Sequence, residues 1–188
     1  MTHKVAVFEH HGRRASDQPT AWPVWPLRLL LVVLFVGPLI APVFQATRLP
    51  LLSDSGALAR DLLARFVCPT PGKSYMLLAF PMAVCARCWG ATIGLWAAWL
   101  AFAPARVASP DRYGWLGRAF AGPLASYLGW AWPLRLLVSA LPFWLWFAEI
   151  RWWPAAPYWF LLINGAFAGA WAGLFFLSIW PGLRRSEA

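Results

Sequence analysis

Charge is what this sequence has least of: 12% of its residues are charged, about half the share usual in a soluble domain. So few charges cannot wet the surface of a folded soluble chain, which excludes that class. Histidine is almost missing too. His3, His10 and His11 all fall in the first eleven residues, outside every apolar run, so imidazole ligation of a haem within the membrane is excluded. "CARCW" lacks the histidine of a C-x-x-C-H attachment site, which removes c-type haem as well. No haem is expected. Acids number seven, and Glu149 is the one near membrane depth. It reads as an interfacial ion pair with Arg151 and not as a proton relay. There is no G-x-x-x-x-G-K-[ST], H-E-x-x-H or G-x-S-x-G, so no catalytic constellation points to an enzyme.

What remains is hydrophobic residues (61%) and fifteen tryptophans. Long apolar runs bounded by arginine and proline imply an integral membrane protein. The net charge of +9 is scattered over segment ends and is not gathered into one stripe. That pattern fits lipid headgroups and topology signals and speaks against nucleic acid. Trp22, Trp25, Trp115, Trp130, Trp132, Trp152, Trp153 and Trp180 sit at run edges, as an aromatic belt would place them.

The expected fold is all-α, with about four transmembrane helices and one or two interfacial amphipathic helices. Residues 1–21 are polar, lack the layout of a cleaved signal and read as a flexible cytoplasmic tail. A single helical membrane domain over 22–182 follows, then a C-terminal tail, 183–188. The expected spans are Trp22–Ala46, Pro81–Ala103, Pro133–Ile150 and Pro157–Trp180. Pro38 and Pro42 would kink or fray the first. "SDSGALARDLLARFV" sets Leu58, Leu62, Leu63 and Phe66 against Arg60, Asp61 and Arg65, the pattern of a helix lying on the membrane surface. Ala119–Trp132 reads either as an interfacial or re-entrant helix or as the opening of the third span. Eight Lys and Arg flank one side of these spans and five the other. The positive-inside rule then puts both termini in the cytoplasm and the cysteine loop outside, in what reads as a bacterial inner membrane.

Gly165, Gly169 and Gly173 recur every four residues, as do Gly90 and Gly94. Such faces let helices approach closely, and the two are expected to pack together. The chemistry is concentrated in Cys68, Cys85 and Cys88. Three thiolates would hold zinc or another soft metal, given a fourth ligand. A Cys85–Cys88 disulfide, a redox-active pair with a thiolate stabilised beside Arg87, or three inert buried thiols are the alternatives the residues leave open.

"FPMAVCARCWGATIGLWAA" resembles the P-x-C-A-R-C-x-G-I-Y-x-G motif of domain-of-unknown-function family 2085, a group of small predicted membrane proteins. Cys85, Arg87, Cys88, Gly90 and Gly94 fall on its positions, while Pro81 stands four residues before Cys85 where the motif has its proline two before. "CPTPGKSY" resembles that family's preceding C-H and P-x-R-S-F stretch, with Lys73 for the arginine. "LINGAFAGAWAGL" is similar to its closing R-x-x-x-G-x-x-x-G region, with Asn164 near the arginine position. The likeness spans roughly residues 60–180. It implies a four-ligand Cys-His plus Cys-x-x-Cys metal site, of which this chain lacks the histidine, since Pro69 stands there. Two functions follow as expectations. One is a structural or accessory subunit of a larger membrane complex, and the other a thiol-based metal-binding or redox membrane protein.

Overall fold

Prolines open most of the helices. They lie in the first turn of α1 (Trp25–Ala46), α2 (Pro50–Phe66) and α5 (Trp132–Trp152), and Pro157 caps α6 (Tyr158–Ile179). There the missing N–H is harmless and the fixed φ suits a helix start. α3 (Ala86–Arg106) and α4 (Gly114–Gly129) complete the set in this computed structural model. The structure describes residues 23–106 and 114–180, with side chains outside 103–121. The N-terminal tail with its histidines, the C-terminal tail 183–188, and Trp22 and Arg112 lie outside the described residues.

α1, α5 and α6 are long and apolar enough to cross a membrane, and leucines, valines and aromatics cover their outer faces. α1 continues through Pro38 and Pro42 to Ala46 without fraying. Pro42 has no N–H to give the Pro38 carbonyl four residues back. That carbonyl instead accepts the Ala83 amide at 3.3 Å, which ties the segment before the C-x-x-C to α1. α4 and α5 are separate helices with a break at Trp130–Ala131, so residues 119–129 belong to α4 and do not open the third span.

The helix in the expected second span, α3, is not among those three helices, and it starts late. Residues Pro81 to Cys85 are not helical: β1 (Met76–Leu77) and β2 (Phe80–Pro81) form a two-stranded hairpin with Met76 opposite Pro81 and Leu77 opposite Phe80. Its turn residues Leu78 and Ala79 both take positive φ, 55° and 69°, the backbone of a tight two-residue hairpin. No Asn-Gly or Asp-Gly marks that turn, and the apolar run hid it.

α2 crosses the cysteine end of the bundle. Gly56 sits against α1, where an added Cβ would fall 2.8 Å from the Ala41 carbonyl and 2.9 Å from Phe44 Cβ. Leu51, Leu58, Leu62 and Phe66 are exposed along α2, and its far end flanks a groove of about 460 Å³ against Phe143, Trp146 and Phe147 of α5.

α3 and α6 run parallel and form the closest seam. The glycine faces meet there: Gly90 lies on the Leu162 carbonyl, Gly94 on that of Ala166, Gly165 on that of Arg87 and Gly169 on that of Ala91. At each, a Cβ would lie inside van der Waals distance of backbone, so only glycine allows the spacing. At the far end from the cysteines, Leu31, Ala98, Trp99, Phe102, Leu124, Tyr127 and Leu177 form a core shared by α1, α3, α4 and α6.

Candidate metal centre

Three pieces of backbone converge at the opposite end. Cys68 follows α2 in a turn that its prolines and Gly72 break. Cys85 is the last residue before α3, and Cys88 lies in the first turn of α3. Cys68 and Cys85 are buried and Cys88 half-buried. The Cys85 and Cys88 sulfurs lie 3.5 Å apart and those of Cys88 and Cys68 4.0 Å apart, with all three within 4.8 Å of one another. Four thiolates around zinc at about 2.3 Å would be separated by roughly 3.8 Å. The trio therefore has the spacing of three corners of a thiolate site. The Cys85 amide donates to Cys68 Sγ at 3.2 Å, a bond that favours the anionic sulfur.

The thiols share protons unequally. Hydrogen bonds from Cys68 and then Cys88 hold Cys85 well below the ordinary thiol range, with Thr70 adding to the effect. The bond to Cys85 pushes Cys68 up, and burial adds to this. Cys85 is thus the first ligand to be ionised. The stabilisation comes from neighbouring thiols and not, as the sequence suggested, from Arg87.

Arg87 is committed elsewhere. It is 1% exposed and pairs with Glu149 through both carboxylate oxygens, Nε to Oε2 at 2.8 Å and Nη2 to Oε1 at 2.6 Å. Asn164 of α6 donates to Oε2 at 3.2 Å, Arg87 Nη1 donates to Thr70 Oγ1 at 3.3 Å, and the guanidinium lies 5.6 Å from the centre of the Trp146 ring. The expected Glu149–Arg151 pair is therefore corrected to Glu149–Arg87. Residues two apart on a helix point to different sides, so Glu149 faces the bundle while Arg151 is exposed. This network joins α3, α5, α6 and the Cys68 turn by charge-assisted bonds in a nearly dry setting. Arg87 and Glu149 stand 62 residues apart; the signal that could have linked them is that each is an isolated charge in an apolar run, and such charges need a partner.

A second tie fixes the turn from outside. Lys73 donates to the carbonyls of Pro154 and, at 3.3 Å, Ala156 in the α5–α6 connection, while Tyr75 packs against Trp89 and Tyr158. Pro81 lies in β2 and is half-buried. Gly90, Gly94, Gly165 and Gly169 line the seam just described, and Gly173 continues it against Ala98, where an added Cβ would fall 2.6 Å from the Ala98 Cβ.

Among the described residues, no histidine or carboxylate joins the three sulfurs. Pro69, where the resemblance placed a histidine, has no side-chain donor.

The family model described as "Predicted membrane protein (DUF2085)" matches residues 68–175. That stretch is more than half of the chain. The chain belongs to this family. In this DUF2085 member the matched region opens on Cys68 and closes within α6, so it contains all three thiols, Arg87, Glu149 and Asn164. No curated protein and no solved structure matches the chain.

Proposed function

We propose that this DUF2085 protein is a four-span membrane protein that holds zinc or another soft metal ion on Cys68, Cys85 and Cys88. The observation that carries the reading is the convergence of three sulfurs, from the turn after α2, the residue before α3 and the first turn of α3, at 3.5 and 4.0 Å, behind a buried ion pair that fixes the local backbone. Soft thiolates select soft metals. With three protein ligands, the fourth position is left to water, a substrate or a carrier, which is the arrangement of an open site and not a closed structural one. Metal content per purified chain tests this, with a Cys85→Ser/Cys88→Ser variant as control. Stoichiometric metal lost in the variant supports the site. Metal-free chains with a Cys85–Cys88 disulfide support the redox alternative, and metal-free reduced thiols oppose both.

In the proposed topology α1, α3, α5 and α6 cross the bilayer, while α2 and α4 lie at opposite faces. Both termini are then cytoplasmic and the thiols lie near the outer face of a bacterial inner membrane. Parallel α3 and α6 agree with this, because each would run from the outer to the inner side. Reporter fusions at the two termini and within residues 71–79 test it. The accessory-subunit role is the second reading. The observation favouring it is the exposed aromatic face of α5, where Trp144 is 72% and Phe147 67% exposed. A stoichiometric partner recovered on mild solubilisation, and lost when both residues are changed to alanine, would support it.

A further inference from the structure

Arg135 sits in the first turn of α5, at the end of the bundle away from the thiols, and is 5% exposed. Neither Nε nor Nη1 has a hydrogen-bond partner among the described residues. Arg87 is as deeply buried and is paired on three sides, so the contrast lies within one molecule. A guanidinium stays charged wherever it is placed, and leaving one unpaired in a membrane is costly. An anion therefore belongs beside it.

Two further features aim at the same place. The N-cap of α5, Ala131, offers no side-chain cap, so the amides of Trp132 and Leu134, Pro133 between them having none, and the positive end of the helix dipole are free to face an anion. Side chains in a helix lean toward its N-terminus, which carries the Arg135 fork toward those amides. One turn further in, on the same face of α5, Ser139 shares a 3.0 Å hydrogen bond with Tyr127 of α4. Both are 4% exposed. Depth identifies the chemistry. Trp130 and Trp132 are exposed at the α4–α5 break, where indoles mark the headgroup level. Arg135 lies about 4.5 Å below Trp132 along the axis, within snorkelling reach of that level.

We propose that the α4–α5 corner binds a phosphate oxyanion between the Arg135 guanidinium and the uncapped first turn of α5. A planar fork beside the Trp132 and Leu134 amides matches a tetrahedral oxyanion better than a point charge does. Such a group comes either from a phospholipid headgroup of that leaflet or from free phosphate.

The test uses the full chain in a phosphate-free maltoside micelle, reading the thermal midpoint by tryptophan fluorescence and retained lipid by native mass spectrometry. Added phosphatidylglycerol raises the wild-type midpoint and leaves one lipid per chain if the lipid is the source. Inorganic phosphate alone gives the shift if the free ion is. Arg135→Gln abolishes the response and lowers retention by about ten- to a hundredfold, the weight of one charge-assisted hydrogen bond. Without ligand that variant is at least as stable as wild type, because its unpaired charge is gone. Arg135→Lys keeps the charge without the fork and responds in between; should the glutamine variant not fold, this one carries the comparison. A wild type that responds to neither probe, or an Arg135→Lys variant indistinguishable from it, overturns the proposal.

Discussion

Glu149→Ala is the sharpest perturbation of this fold. It deletes one carboxylate, 7% exposed, and strands Arg87 with no other acid in reach among the described residues. Two bonds from Arg87 and one from Asn164 vanish. Hydrogen bonds to charged groups contribute about 1.5–3 kcal/mol each, and removing one partner of a buried pair costs about 3–5 kcal/mol. Taking about 4 kcal/mol, the folded-to-unfolded ratio falls by roughly three orders of magnitude. Reversible unfolding with sodium dodecyl sulfate in mixed micelles, followed by tryptophan fluorescence, measures this directly. Arg87→Met/Glu149→Leu is expected to recover most of the loss, since a well-packed apolar pair replaces a buried ion pair at little net cost. The single variant is also expected to loosen the thiol site, because Arg87 holds Thr70 in the Cys68 turn. A cost below about 1 kcal/mol for Glu149→Ala, or a double variant less stable than the single one, would refute the reasoning.

Gly94→Leu places a side chain on the Ala166 backbone and forces α3 from α6; a loss of about 1–3 kcal/mol or more is expected in the same assay, whereas Gly37→Leu, whose Cβ meets nothing within 4 Å, is expected to be neutral. Cobalt(II) titration should give thiolate-to-metal charge-transfer absorption. Its apparent affinity should rise with pH, because the metal must displace the proton that Cys68 holds with its raised pKa, and protons win as pH falls. Cys68→Ser should abolish that band. Pro42→Ala restores a donor for the Pro38 carbonyl, so the Ala83 amide loses its acceptor and should exchange faster with deuterium, while α1 itself gains stability.

Hydropathy made the apolar helices legible, because a run of about twenty apolar residues has few other uses. The two glycine faces were legible for a similar reason: four-residue spacing already puts small residues on one side. The hairpin at 76–81 was not, since Leu78 and Ala79 carry no turn chemistry although both take positive φ. Cys85 and Cys88 were legible as a pair from their i, i+3 spacing, but the approach of Cys68 comes from how α2 crosses the bundle, which no local pattern encodes. Glu149 went to the wrong partner because sequence proximity favoured Arg151, whereas helix geometry sends the two side chains apart. Arg135 carried a signal that went unused: a lone arginine inside "PLRLLV" begs for an anion as much as Arg87 does.

The α3–α6 seam also bears on how the protein meets bilayers of different thickness. Backbone rests on backbone there, with Gly165 against the Arg87 carbonyl and Gly169 against that of Ala91, so at these positions no side chain is available to yield as the helices slide or lean. In the proposed four-span arrangement, a thinner bilayer that demands more tilt would tip these two as one plank, with α1 and α5 taking up the difference around them. Cys85 and Cys88 ride on the head of that plank. The sulfur triangle is then exposed to membrane strain chiefly through Cys68, the one corner delivered from outside it.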